Sequence, residues 1–75
     1  MTVTTLIAIH DTLKAKRDEA HRQYCIARDD YEEFANSATT PKPLLKLKLA
    51  LKEERWNEYI AAARPLEEFE AHEWH

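Results

Sequence analysis

PLLKLKLALKEERW, residues 43–56, alternates leucine with lysine as a half-buried strand would, then runs directly into charged, helix-favouring sequence. A strand over residues 45–51 needs a partner for its backbone N–H and C=O groups, and no other segment of the chain alternates with period two. The stretch therefore reads as helix. Drawn that way, Leu45, Leu49, Trp56, Ile60 and Ala63 form one stripe expected to continue a helix–helix core, while Leu44, Leu47 and Leu51 lie on an adjoining face. Its apolar arc is much wider than the roughly 100° that a simple surface helix presents.

Immediately upstream, NSATTPKP (36–43) is the one concentration of turn-forming residues. Thr40 is placed to cap a helix beginning at Pro41, and Pro43 is tolerable in a first turn, where its missing N–H is no loss. Further upstream, residues 5–35 contain no proline and carry a seam in alternating steps of three and four. It runs through Leu6, His10, Leu13 and Arg17, then Ala20, Tyr24, Ala27, Tyr31 and Phe34, with Val3 ahead of it. That predicts a helix of roughly 46 Å. Downstream, Pro65 removes a backbone donor and crowds the preceding turn, which predicts a kink, or a stop followed by a short helix PLEEFEAHEW. Either way Leu66, Phe69 and Trp74 are expected to return against the start of the first helix.

The predicted fold class is all-α. It is an antiparallel two-helix hairpin with a kink or short third helix after Pro65, dimerising into a four-helix bundle. One domain spans residues 1–75, with helix 5–35, loop 36–40, helix 41–64 and a kinked or separate helix 65–74. The absence of glycine agrees, because tight hairpin turns and phosphate-cradling loops draw on residues that accept positive φ.

Charge supports the antiparallel order. In residues 23–36, Arg28 against Asp29, Asp30, Glu32 and Glu33 leaves −3. In residues 42–55, Lys42, Lys46, Lys48, Lys52 and Arg55 against Glu53 and Glu54 leave +3. Both blocks oppose the helix dipole, each at roughly 0.3–1 kcal/mol, and lying side by side relieves both. At the far end, residues 10–22 carry +1 and residues 56–75 carry −4, and His10 is expected to face Glu67, Glu70 or another acid of the tail. A histidine there makes assembly sensitive to pH, since histidine changes charge between pH 5 and 8.

Seventy-five residues bury only about 60% of the surface their unfolded chain exposes, so the core is thin. A lone core of this size supplies roughly 3–5 kcal/mol at most, and small folds add a disulfide, a metal or a second subunit. Cys25 is the only cysteine, which suits a reducing compartment and excludes a disulfide within one chain. The opening residues have no basic stretch, and the apolar run Leu6–Ile9 is far shorter than a signal core or a membrane span. The expectation is a soluble, cytoplasmic chain with no membrane partner.

No segment encodes a recognisable catalytic kit. Paired acids such as Asp29–Asp30 and Glu32–Glu33 point in different directions on a helix, and two or three helices rarely enclose a water-excluding pocket. Cys25 lies one turn after His21 on the same face, but nothing supplies an oxyanion site. His72 and His75 are spaced for one helical face, yet too few other ligands accompany them, so no metal and no cofactor are expected. What remains is surplus apolar surface. Leu44, Leu47, Lys48, Leu51, Arg55 and Trp56 are the predicted partner-binding residues, with Trp56 or Trp74 as an anchor of the kind enriched at binding hot spots. The expected function is that of a non-enzymatic protein-interaction module, an adaptor, co-chaperone or inhibitor that masks a surface of a larger protein and also pairs with itself. In general character this resembles small accessory proteins of bacteria and their phages. The alternative is a nucleic-acid-binding dimer using the basic face of residues 42–55. A net charge of −3 weighs against it, because phosphate affinity comes from accumulated Lys and Arg.

Overall fold

A computed structural model describes residues 2–72. Two helices, α1 (Val3–Ala35) and α2 (Lys42–His72), lie antiparallel in a rod of 57 × 14 × 14 Å. The chain is an all-α helical hairpin. Glu73, Trp74 and His75 lie outside the described residues, and with them the expected Trp74 anchor and the second histidine of the His72–His75 pair.

α1 starts two residues earlier than its seam suggested. Thr2 is extended (φ −77°, ψ 159°), and its side-chain oxygen accepts the Thr5 N–H at 3.2 Å, which satisfies one of the four orphan donors of a helix start. At the other end the Asn36 N–H donates to Glu32 O at 3.0 Å and the Ser37 N–H to Phe34 O at 3.2 Å. The loop, residues 36–41, then reverses the chain with no positive φ among the described residues, as a glycine-free sequence requires. Pro41, rather than Thr40, occupies the capping position of α2: its carbonyl accepts the Leu45 N–H at 3.1 Å, and Pro43 sits in the first turn.

α2 continues through Pro65 to His72 as one helix, so the short third helix expected after Pro65 is not a separate element. Pro65 and Ala61 are both exposed, which leaves the Ala61 carbonyl that loses its N–H partner open to water. Beyond the proline, Leu66 is enclosed (1% exposed) and Phe69 is half-buried, so packing against α1 holds the last turns in place. The tail reaches the start of α1 because two helices of similar length run side by side, not because the chain folds back.

Register follows from cross-helix pairs whose residue numbers add to about 80. His10 meets Phe69 and Glu70, His21 meets Tyr59, and Tyr24 meets Trp56. The α1 seam from Leu6 to Phe34 is buried or half-buried as the spacing predicts, whereas Val3 is exposed. The α2 seam differs from the apolar stripe. It runs through Leu45, Lys48, Lys52 and Arg55, then Tyr59, Ala62, Leu66 and Phe69, again in steps of three and four and all buried or half-buried. Leu49, Trp56 and Ile60 are displaced outward and exposed.

Electrostatics explain this rotation of α2. Turning the apolar stripe fully inward carries Glu53 toward the seam with it and takes Lys48 away from Asp30, and a charge moved out of water without a partner is costly. The observed rotation brings cations there instead. Lys48 Nζ lies 2.7 Å from Asp30 Oδ2 and 5.0 Å from the Phe34 ring centroid, and Lys52 Nζ lies 5.0 Å from the Tyr31 centroid. Their methylene stems cover the seam while their heads find charge or ring faces. Neutralisation between the +3 and −3 blocks is thus direct only at Lys48–Asp30 among the described residues. The remaining arginine pairs, Arg17–Asp18, Arg22–Glu19, Arg28–Asp29 and Arg55–Glu58, lie within one helix, while His10 and Glu70 meet across the far end.

Candidate interaction face

The side chains left outside this rotation define what the hairpin offers to other molecules. Ala27, Ala63 and Leu66 are the buried apolar residues among those described, while Ile7, Ile26, Leu47, Leu49, Trp56 and Ile60 are exposed. Three of these, Leu49, Trp56 and Ile60, share one shoulder of α2. Trp56 is 43% exposed although its indole packs on Tyr24 (centroids 5.0 Å apart) and Tyr59 (5.5 Å). Held on two rings, the Trp56 side chain has little rotamer freedom. Beside it an open trough of about 490 Å³ is lined by Tyr24, Lys52, Glu53, Trp56 and Asn57, and a second of about 260 Å³ lies toward the loop among Tyr31, Lys42, Leu45, Lys46 and Leu49.

The six residues predicted to bind a partner do not form one patch. Leu44 and Leu51 are half-buried on the shoulder opposite Trp56, and Leu47, 69% exposed, stands farther out on that side. Lys48 and Arg55 lie between the two shoulders, in the seam. Lys48 is engaged by Asp30 and Phe34, and the Arg55 guanidinium donates to both Glu58 oxygens at 2.9 and 3.0 Å, which raises its pKa above the ordinary arginine value. The structure brings Trp56 together with Leu49 and Ile60, which the sequence had assigned to the core. A signal for this was present: Tyr59, Ala62, Leu66 and Phe69 continue the 45–48–52–55 spacing. Counting only apolar residues hid it, because lysine and arginine also serve as seam residues through their stems.

At the tail, His10 Nε2 is 3.2 Å from Glu70 Oε2, and the imidazole lies beside the Phe69 ring, so the expected contact between His10 and a tail acid forms. Cys25 Sγ lies 3.8 and 3.9 Å from His21 Nδ1 and Nε2, the expected one-turn neighbours, and the His21 ring meets Tyr59 edge-on at 5.0 Å. Among the described residues no three His, Cys, Asp or Glu side chains converge as a metal site would require, and no helix is long and apolar enough to cross a membrane. Comparison with known proteins yields no matching family model, no matching curated protein and no matching solved structure.

Proposed function

We propose that this protein is a non-enzymatic interaction module that pairs with itself and, as a dimer, covers a surface of a larger protein. The observation that carries the reading is large apolar side chains standing on the outside of α2 in a hairpin whose buried apolar residues, among those described, are Ala27, Ala63 and Leu66. The accessible surface is 5633 Å², against about 4,800 Å² for a compact monomer of this mass. The radius of gyration is 16.9 Å, where about 11 Å is usual for a compact domain of this length. The surplus of roughly 850 Å² matches the area that one partner contributes to a standard interface, about 800 Å².

The nucleic-acid alternative draws on fewer free cations than the sequence suggested. Of the five basic residues between 42 and 55, Lys48, Lys52 and Arg55 are engaged within the hairpin, which leaves Lys42 and Lys46 as the exposed cations of the stretch.

Sedimentation equilibrium from micromolar to millimolar concentration tests the self-pairing, with dimers expected. Affinity capture from the native host with wild-type and Trp56→Ala baits tests the partner. The expected result is a protein that the wild type retains at raised salt and the variant loses. A chain that is monomeric throughout and retains nothing dependent on Trp56 overturns the reading, and retention of nucleic acid that salt releases favours the alternative.

A further inference from the structure

The exposed shoulder of α2 carries more than an apolar patch. From Lys42, steps of four and three lead to Lys46, Leu49, Glu53 and Trp56, and the same stepping continues through Ile60, Ala63, Glu67 and Glu70. This is a second helical seam, and all of it except Ala63 is exposed. Its order is two cations, an apolar centre interrupted by Glu53, and two anions. Read backwards the sign is inverted about Trp56: Lys42 mirrors Glu70, Lys46 mirrors Glu67, and Leu49 mirrors Ala63.

From this pattern we infer that a second copy of the chain docks on this shoulder, α2 against α2 and antiparallel, about a two-fold axis at Trp56. The inference rests on the self-pairing reading above and names its surface and geometry. A two-fold interface sets each residue against its mirror, so opposite charges meet at both ends and the two Trp56 side chains meet at the centre. Parallel pairing instead sets lysine on lysine and glutamate on glutamate. The helix dipoles agree: Lys42 and Lys46 at the start of α2 and Glu67 and Glu70 at its end each oppose the dipole of their own helix, and antiparallel pairing sets opposite charge beside each, in addition to the contact that Glu70 makes with His10. Glu53 is the imperfect position, because its mirror is Ile60. The opposite shoulder has no such symmetry. Leu44, Leu47 and Leu51 are continued at the same spacing by Glu54 and Glu58, then Ala61, Pro65 and Glu68, so a two-fold axis there at the level of Trp56 sets Leu44 against Glu68 and Glu54 against Glu58 with no cation in the row.

Sedimentation equilibrium of the full-length chain and its charge variants tests the geometry, with circular dichroism to confirm that helicity is kept. Lys46 and Glu67 are both exposed, so their substitution leaves the hairpin intact. Lys46→Glu and Glu67→Lys alone each place like charges together twice per dimer and are expected to weaken it about tenfold. Both in one chain restore opposite signs and are expected to return the dissociation constant to near the wild-type value. Trp56→Ala is expected to weaken the dimer about thirtyfold or more, and Leu47→Asp to leave it unchanged. A wild-type dimer whose double swap is as weak as either single swap, or which dissociates with Leu47→Asp, overturns this geometry and leaves self-pairing standing. A wild type monomeric at millimolar concentration overturns self-pairing, and the inference with it.

Discussion

Lys48 was expected to orient a partner, and instead ties the two helices together through Asp30 at 2.7 Å and the face of Phe34. Its side chain and that of Asp30 are only 27% and 33% exposed, so the pair is better shielded than a typical surface bridge, worth 0–1 kcal/mol. Lys48→Glu sets two carboxylates together where solvent is reduced. Denaturant titration is expected to show a loss of about 1–2 kcal/mol that shrinks with added salt. Lys48→Met keeps the stem and is expected to cost less than about 1 kcal/mol; equal losses for the two variants argue against the ion pair. On α1, hydrogen bonds from Arg22 and Gln23 hold the Glu19 carboxyl down to about 2. A depressed carboxylate stabilises the fold above its unfolded value and loses that contribution as pH falls through the folded one. Melting curves of wild type and Glu19→Gln are therefore expected to coincide below about pH 2, separate between pH 2 and 4.5, and stay parallel above. Glu19 is exposed, so the gap is small and salt-sensitive. Contacts within one turn, such as His21 with Cys25, were legible from spacing alone, and His10 with Glu70 from spacing plus charge. Lys48 with Asp30 was legible only as opposite blocks, because the choice of lysine depends on how α2 is turned.

At the level of elements, Pro65 and Leu66 are adjacent residues with opposite effects. Pro65 lies inside α2 and deprives an exposed turn of one hydrogen bond, so Pro65→Ala is expected to stabilise the hairpin by about 1–3 kcal/mol in denaturant titration, after allowance for the freer unfolded chain. A decrease means that the proline's own geometry is needed by the packing beyond it. Leu66 is the largest fully buried side chain among the described residues, and Leu66→Ala is expected to cost about 2–5 kcal/mol, comparable with everything a core of this size supplies. Loss of cooperative melting is the measurement that checks it. Two helices and the turn between them were readable from the seam, the NSATTPKP cluster and the missing glycines. The continuity of α2 was not, since a proline's local penalty says nothing about the burial of Leu66 and Phe69 on the far side of it.

For the whole molecule, a rod 57 Å long and one helix pair thick exposes nearly every residue on some side. Its stability is therefore expected to depend on concentration. A chain that pairs with itself gains stability by mass action, so the melting temperature is expected to rise steadily over a hundredfold range of concentration and to stop rising in Trp56→Ala. A midpoint independent of concentration in the wild type contradicts self-pairing. Raised salt is expected to weaken the ends of the interface, where lysine meets glutamate, more than its apolar centre.

By itself the sequence determined that the chain is helical, where it turns, that its helices run antiparallel and that α1 presents its Leu6–Phe34 seam. Each of these follows from short-range periodicity, proline and glycine usage, and the sign of neighbouring charge. Only the tertiary structure decided which side of α2 is hidden. α2 contains too many leucines for one seam, and the choice among rotations rests on whether a cation or carboxylate carried inward finds its counterpart across the gap. Asp30, Tyr31 and Phe34 supply counterparts for lysines, so α2 turns its lysines inward and leaves Leu49, Trp56 and Ile60 outside.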